Sequence, residues 1–209
     1  MSFISKISKL GQATSVLFHG KHALTANTVS GGALFLIGDF VEQRVEVSRG
    51  KLPEFDWMRF GRMGVIGVLL GPTHHYFYKY LDVLIPRRDG RSIFKKIMAD
   101  QLIACPMFSV QFFMGMAYLE GKSLPECWGE FKKKFPTVYA VDWTLWPPIQ
   151  LINFYYIPTG FRVLYVNTMT AFWNVFLSYM KHYDQLQGFV PTGEGFIAES
   201  KNTLLRFLR

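Results

Sequence analysis

The sequence predicts an all-α fold: an integral membrane bundle of four transmembrane helices, with an N-terminal amphipathic helix and a short interfacial helix before the last span. Three observations carry this. Half of the 209 residues are hydrophobic, 17% are aromatic, and only 18% are charged. The charged residues leave five long uncharged stretches: His22–Gly38, Met63–Tyr78, Gln101–Leu119, Trp143–Phe161 and Val163–Met180. These run for 17, 16, 19, 19 and 18 residues, against roughly 17–25 needed to cross the hydrocarbon core of a bilayer. Such a composition excludes a disordered chain, a collagen-like chain and a coiled coil.

Residues 1–23 form the first segment. Phe3, Ile7, Leu10 and Leu17 recur at helical spacing, Lys6, Lys9 and Lys21 decorate the same stretch, and no acidic residue precedes Asp39. An apolar face on a basic, acid-free segment reads as a mitochondrial import segment or as a helix lying on a membrane surface, two compatible readings. The segment lacks the continuous apolar core and small-residue cleavage site of a secretory signal.

The membrane domain covers residues 24–183, with spans at about 24–41, 62–84, 99–119 and 161–180. Gly61, Gly64, Gly67 and Gly71 lie along the second span, and small residues there let a helix approach Gly31-Gly32 of the first. Pro106 predicts a kink in the third. Trp146-Pro147-Pro148 and Pro158-Thr159-Gly160 bracket about ten helical residues, roughly 15 Å, too short to cross alone. This piece reads as an interfacial or re-entrant helix feeding the last span, or as the first half of one long bent helix. Residues 184–209 carry Gly188, Pro191, Gly193 and Gly195, then an amphipathic stretch near Phe196–Leu208, and form a tail.

Four spans put both termini and the middle loop on one side. That side carries 12 Lys and Arg against 9 on the other, a modest bias that in a mitochondrion places the termini in the matrix. The net charge of +8 is then a property of one membrane face. Direct nucleic-acid binding is not expected.

Polar residues within or beside apolar spans are candidates for function, since they are costly there and turn toward the bundle interior or toward water. They are Asp39 and Gln43 at the end of span one, His75 and Asp82 on span two, Asp100 and Gln101 opening span three, and Gln150, Asn153 and Arg162 before span four. They either line a polar path or bond one helix to another. Asp39, Asp82 and Asp100 are the acidic groups within register of Arg162. Arg87, Arg88, Arg91, Lys95 and Lys96 place five cations within ten residues. The cluster serves topology and anionic lipid, or faces an anionic partner.

No catalytic motif is present: no GxSxG, HExxH, P-loop or GxGxxG before a helix. Two cysteines, Cys105 and Cys127, have no further Cys or His at metal spacing. No enzyme activity, cofactor or metal is expected. The expected partner is the lipid bilayer, and a homo-oligomer stays open.

Asp142-Trp143-x-x-Trp146-Pro147-x-x-Gln150-x-x-Asn153-Phe154-x-x-x-Pro158-x-x-x-Arg162, followed by Trp173 and Leu177-Ser178-Tyr179, resembles the signature of the Mpv-seventeen/peroxisomal membrane protein family of small four-pass organelle proteins. Asn27-Thr28, Gly38-Asp39 with Gln43, Gly71-Pro72 with His75-Tyr76, Leu81-Asp82, and Lys96 with Asp100-Gln101 and Pro106 match as well. The resemblance implies a non-catalytic protein of the mitochondrial inner membrane, with the peroxisomal membrane as the alternative. Leu17-Phe18-x-Gly20, Thr25-x-Asn27-Thr28, Leu119-Glu120-Gly121 and Glu130-x-x-x-Lys134-Phe135 resemble one branch of the family. That branch implies support of mitochondrial ribosome assembly and translation, with mitochondrial ribosomal subunits as partner. The wider family implies a weakly selective channel or metabolite pore tied to mitochondrial DNA maintenance.

Overall fold

The computed structural model describes residues 22–87, 89–157 and 162–187. The expected amphipathic N-terminal segment, the tail after residue 187 and Arg88 lie outside the described residues, as does the Arg162 side chain. All regular structure among the described residues is helical. Helix α1 is Ala23–Ser48, α2 Trp57–Leu84, α3 Gly90–Ala99, α4 Cys105–Leu119, α5 Leu124–Tyr155 and α6 Arg162–Gln187. A single π-turn, Asp100–Ala104, joins α3 to α4 into one rod.

Local chemistry sets the boundaries. Helix α1 stops before Gly50, whose φ of +66° suits a residue without a Cβ. The Asp56 carboxylate caps α2 by accepting from the Arg59 backbone N–H at 2.9 Å. At α5, Ser123 and Glu126 form a capping box, with Pro125 in the first turn. Pro106 lacks an N–H and crowds the carbonyl of Leu102. The widened π-turn immediately before it accommodates that loss, where the sequence analysis expects a kink.

The expected short interfacial helix is not present. Trp146–Tyr155 is the last part of α5, a 32-residue helix roughly 48 Å long that contains Pro136, Pro147 and Pro148. Packing carries the helix through the prolines. Ile149 and Asn153 are buried against the bundle, and Trp146 meets Trp173 of α6 at 6.1 Å between ring centroids. The reading of this piece as the first half of a bent last span is overturned for the same reason, and so is the reading of 120–142 as a loop.

The rods alternate in direction. Gly31 and Gly32 of α1 lie against Gly67, Gly71 and Gly64 of α2, while Asp39 meets Arg59. Ile66 of α2 touches Gly115 and Tyr78 bonds Asp100, so α2 and the α3–α4 rod are antiparallel. Helix α6 runs beside α1 in the same direction, pairing Gly38 with Asn174 and Asp39 with Ser178. Residues 22 and 187 therefore leave the bundle at opposite ends. The four-span reading expected both termini on one side; the described chain instead enters and leaves the bundle at opposite ends, and Lys181 no longer counts with the end of residue 22.

Among the described residues two rods, Ala23–Ser48 and Gly90–Leu119, are long and apolar enough to cross a membrane by length and composition. Four were expected; α2, α5 and α6 carry charged and polar residues along their lengths. The core is an apolar layer of Phe35, Met63, Ile66, Leu70, Phe112, Phe113, Met116, Phe131, Val138, Leu177 and Met180.

Candidate functional site: two polar zones separated by an apolar layer

The α1–α2 seam is closed by glycine. A Cβ on Gly71 would lie 2.5 Å from the Thr28 Cα, and one on Gly67 2.7 Å from the Gly31 carbonyl oxygen. Below this seam Arg59 of α2 enters a site built mainly by α1. Its Nε donates to Asp39 at 2.8 Å, its two terminal nitrogens grip Glu46 at 2.5 and 3.3 Å, and one of them also donates to the Ser178 hydroxyl at 2.9 Å. Ser178 donates in turn to Asp39 at 2.6 Å. Gln43 donates to Asp39 at 2.7 Å and to the Asp56 carbonyl at 3.1 Å, and accepts from the Asp56 N–H at 2.7 Å. Asp39, Gln43, Glu46, Arg59 and Ser178 are all at most 4% exposed. A guanidinium fork suits this role because it satisfies several acceptors in one plane.

A second charged cluster lies at the same end, around the turn between α4 and α5. Lys181 of α6 is 1% exposed and bonds Glu120 at 2.9 Å and Glu130 at 2.5 Å. Lys122 bonds the same two carboxylates at 2.8 and 2.7 Å, and Lys134 bonds Glu130 at 3.1 Å and the Lys181 carbonyl. Partial burial alone would lower the Lys122 ammonium, yet its hydrogen bonds to Glu120 and Glu130 hold it above its ordinary value. The His182 ring bonds the Ser178 carbonyl at 2.9 Å and stands 3.9 Å from Glu120. Ser178, Lys181 and His182 thus join the two clusters through one turn of α6.

The other polar zone is at the far end of α2, 19 residues from Arg59 or roughly 28 Å along the helix. Asn27 bonds His75 at 3.0 Å, Tyr78 donates to Asp100 at 2.5 Å, and Lys96 bonds Asp82 at 2.5 Å. Gln101 is fully buried, and Asn153 donates to Gln150 at 3.3 Å. Arg87, Arg91 and Lys95 are exposed at this end, beside exposed Phe94.

Of the residues expected to act, Asp39 with Gln43 and Gln150 with Asn153 are brought together. His75 and Asp82 are not; each has its own partner. Asp39, Asp82 and Asp100, the register candidates for Arg162, are bonded to Arg59, Lys96 and Tyr78. Lys96 leaves the exposed basic patch for its ion pair with Asp82. Sequence reasoning missed Arg59, Glu46, Ser178, Glu120, Glu130, Lys134, Lys181 and Asp142. The available signal was Asp39, Glu42 and Glu46 at i, i+3 and i+7, an acidic face too regular for a surface loop.

Among the described residues no three His, Cys, Asp or Glu converge as a metal site. Asp39, Glu46, Arg59, Glu120, Glu130, Lys134 and Lys181 lie within hydrogen-bonded networks that tie helices together.

Residues 117–178 match the model of the Mpv17 / PMP22 family. The chain is 38% identical over 173 residues to PXMP2/4 family protein 4 of Dictyostelium discoideum, covering 82% of this chain and 94% of that one. It is 30% identical over 162 residues to the mitochondrial inner membrane protein Mpv17 of Homo sapiens, covering 77% and 92%. It is 29% identical over 161 residues to peroxisomal membrane protein 2 of Bos taurus, covering 75% and 82%. No solved structure matches the chain. The Asp142–Ser178 signature region falls within the residues that the family model matches, and with relatives of 30–38% identity over more than three quarters of its length the chain belongs to the Mpv17/PMP22 family.

Proposed function

We propose that this chain is a non-catalytic integral protein of the mitochondrial inner membrane that supports assembly of mitochondrial ribosomes and their translation, acting as a scaffold through its basic end. The membrane reading is supported by side-chain distribution. Val65, Val68 and Leu69 on α2, Leu102 and Ile103 at the π-turn, Leu145, Leu151 and Ile152 on α5, and Phe172 on α6 are exposed, while Asp39, Glu46, Arg59 and Lys181 are buried. Apolar outside and charged inside suits lipid rather than water as the surrounding solvent. Relatives named as mitochondrial inner membrane proteins support the location.

One observation favours a scaffold over a pore: Phe35, Met63, Ile66, Leu70, Phe112 and Phe113 pack into a buried apolar cluster between the two polar zones. An ion or metabolite crossing this bundle would meet that layer dry. The exposed cations Arg87, Arg91 and Lys95 would then meet an anionic ribosomal surface, a salt-sensitive attraction.

Sedimentation of mitochondrial ribosomal subunits tests the reading. Loss of the chain, or Arg87→Gln with Arg91→Gln and Lys95→Gln, is expected to deplete assembled subunits. Normal profiles in a complete knockout would overturn the ribosome role. A second reading is a weakly selective channel linked to mitochondrial DNA maintenance, as the family resemblance implies; the relative named as a peroxisomal membrane protein supports only the peroxisomal membrane as an alternative location. It requires the apolar layer to part, and solute flux in proteoliposomes that rises on Phe112→Ala would support it.

A further inference from the structure

The turn between α1 and α2 gathers four aromatic rings. The Phe55 centroid stands 5.8 Å from that of Phe40 on α1, and 4.6 and 5.5 Å from Trp57 and Phe60 on α2. Trp57 meets Phe60 at 5.9 Å. The cluster is packed from within and open to the outside: Phe40 and Met58 are exposed, and Trp57 is 72% exposed. The Trp57 indole N–H has no partner among the described residues.

Arg44 lies on the same flank. It follows Phe40 by one turn of α1, is exposed, and holds its guanidinium carbon 5.4 Å from the Phe40 ring centroid. Among the described residues it has no hydrogen bond or ion pair. A ring covers one face of the guanidinium plane and leaves the five in-plane N–H donors available. Glu42 and Glu46, two residues to either side, are buried on the opposite side of the helix. The other exposed charges of the turn are Arg49, Lys51, Glu54 and Asp56, and the Asp56 carboxylate already accepts from the Arg59 backbone N–H.

Beyond Arg44 the outer face of α1 is apolar. Val29, Ala33, Ile37, Phe40 and Val41 are exposed at helical spacing. From Val29 to Phe40 the face runs roughly 16 Å, about half the thickness of a hydrocarbon core. That is the depth one leaflet's acyl chains occupy. Helix α1 is one of the rods long and apolar enough to cross a membrane.

We propose that Arg44, Phe40 and Trp57 form the headgroup site of one bound anionic phospholipid, with an acyl chain lying on the Val29–Val41 face of α1. The Arg44 fork donates to the phosphodiester. The Trp57 indole donates at the level of the glycerol esters, where such rings settle in a bilayer. Contact with Phe55 and Phe60 fixes the Trp57 ring. A lipid fits better than an acidic peptide because the unpaired cation stands at the foot of an apolar face one leaflet deep. An anionic headgroup fits better than a choline one because exposed Arg49 and Lys51 follow Arg44 in the turn. The site is at the end opposite Arg87, Arg91 and Lys95. It rests on the membrane part of the reading above and is independent of the ribosomal part.

Carbonate extraction of membranes carrying the full chain separates the two: release of the chain would overturn the membrane reading itself. The retained chain is then purified in dodecyl maltoside and titrated with phosphatidylglycerol or phosphatidylcholine of identical acyl chains, and bound lipid is counted by native mass spectrometry. The expected result is one phosphatidylglycerol held about tenfold more tightly than phosphatidylcholine, the scale of one charge-assisted hydrogen bond. Arg44→Gln should erase that preference, and Arg91→Gln with Lys95→Gln should keep it. A photoactivatable phosphatidylglycerol should attach to the unaltered protein within residues 37–60, which reads the site without a variant. Equal retention of the two lipids overturns the proposal. So does a preference that survives Arg44→Gln, or attachment confined to residues 83–96. Lipid-free dimers that Trp57→Arg separates would give this face to a second copy of the chain and likewise overturn it.

Discussion

At the scale of single residues, Arg59 and Lys181 hold the most. Arg59→Ala leaves Asp39 and Glu46 as buried carboxylates without their cation, which costs about 3–5 kcal/mol. Adding Asp39→Asn to Arg59→Ala should cost little more, because the second change removes a charge already unpaired. Equilibrium unfolding of the four proteins of the cycle in micelles measures this, and strict additivity would mean the two do not interact. Lys181→Met should cost less, about 1.5–3 kcal/mol for its lost charged hydrogen bonds, because Lys122 still pairs Glu120 and Glu130 and Lys134 still pairs Glu130; adding Glu130→Gln should deepen the loss. If Lys181→Met unfolds at the wild-type midpoint, the α4–α5 turn is not tied to α6 through this ammonium. The Asp39–Gln43 contact was legible in the sequence because spacing of four along one helix is local. Arg59 was not, because nothing local distinguishes it from Arg44, Arg49 and Arg62. Only the fold of α2 back onto α1 assigns its partner.

At the scale of elements, the α1–α2 seam is where geometry leaves least room. Gly71→Val puts branched carbon into the Thr28 backbone and should cost about 1–3 kcal/mol or more by forcing the helices apart. Gly61, with nothing within 4 Å of its would-be Cβ, is the control. Gly61→Ala should be stabilising by about 0.5–1 kcal/mol, because it removes backbone freedom without a clash. Thermal unfolding of both variants checks the contrast, and equal effects would refute the seam. The glycine pairing was readable from spacing, as was the all-helical class. The 32-residue α5 was not. Pro147-Pro148 is the usual mark of a helix start, and the burial of Ile149 and Asn153 that overrides it is a tertiary contact no local pattern reports.

At the scale of the whole molecule, the alternating rods define two ends. One carries residue 22, Arg87, Arg91 and Lys95; the other carries the 49–56 and 120–123 turns and residue 187. If the rods cross a membrane, Lys51→Cys and Arg91→Cys, both at exposed positions, should react with an impermeant thiol reagent from opposite faces. A protease site placed after Gln187 should share the face of Lys51. Labelling of both cysteines from one side would refute the crossing arrangement. Cys127 is buried and unsuitable as the reporter. The sequence's count of cations per face changes for two reasons: residue 187 leaves the bundle at the end opposite residue 22, and Lys181, counted with a terminal tail, is the hub of an internal network.

The position of Arg59 also bears on how the chain enters a bilayer. Asp39, Glu42 and Glu46 all belong to α1, and the cation among them, Arg59, belongs to the first turn of α2, across the connecting segment 49–56. A lone α1 in hydrocarbon would carry three carboxylates against a single cation of its own, Arg44. If the rods cross a membrane, the first two helices are therefore expected to enter it together, as a hairpin in which Arg59 already meets Asp39 and Glu46. Helix α6, which contributes only Ser178 to that centre, can arrive afterwards, even as a separately translated fragment.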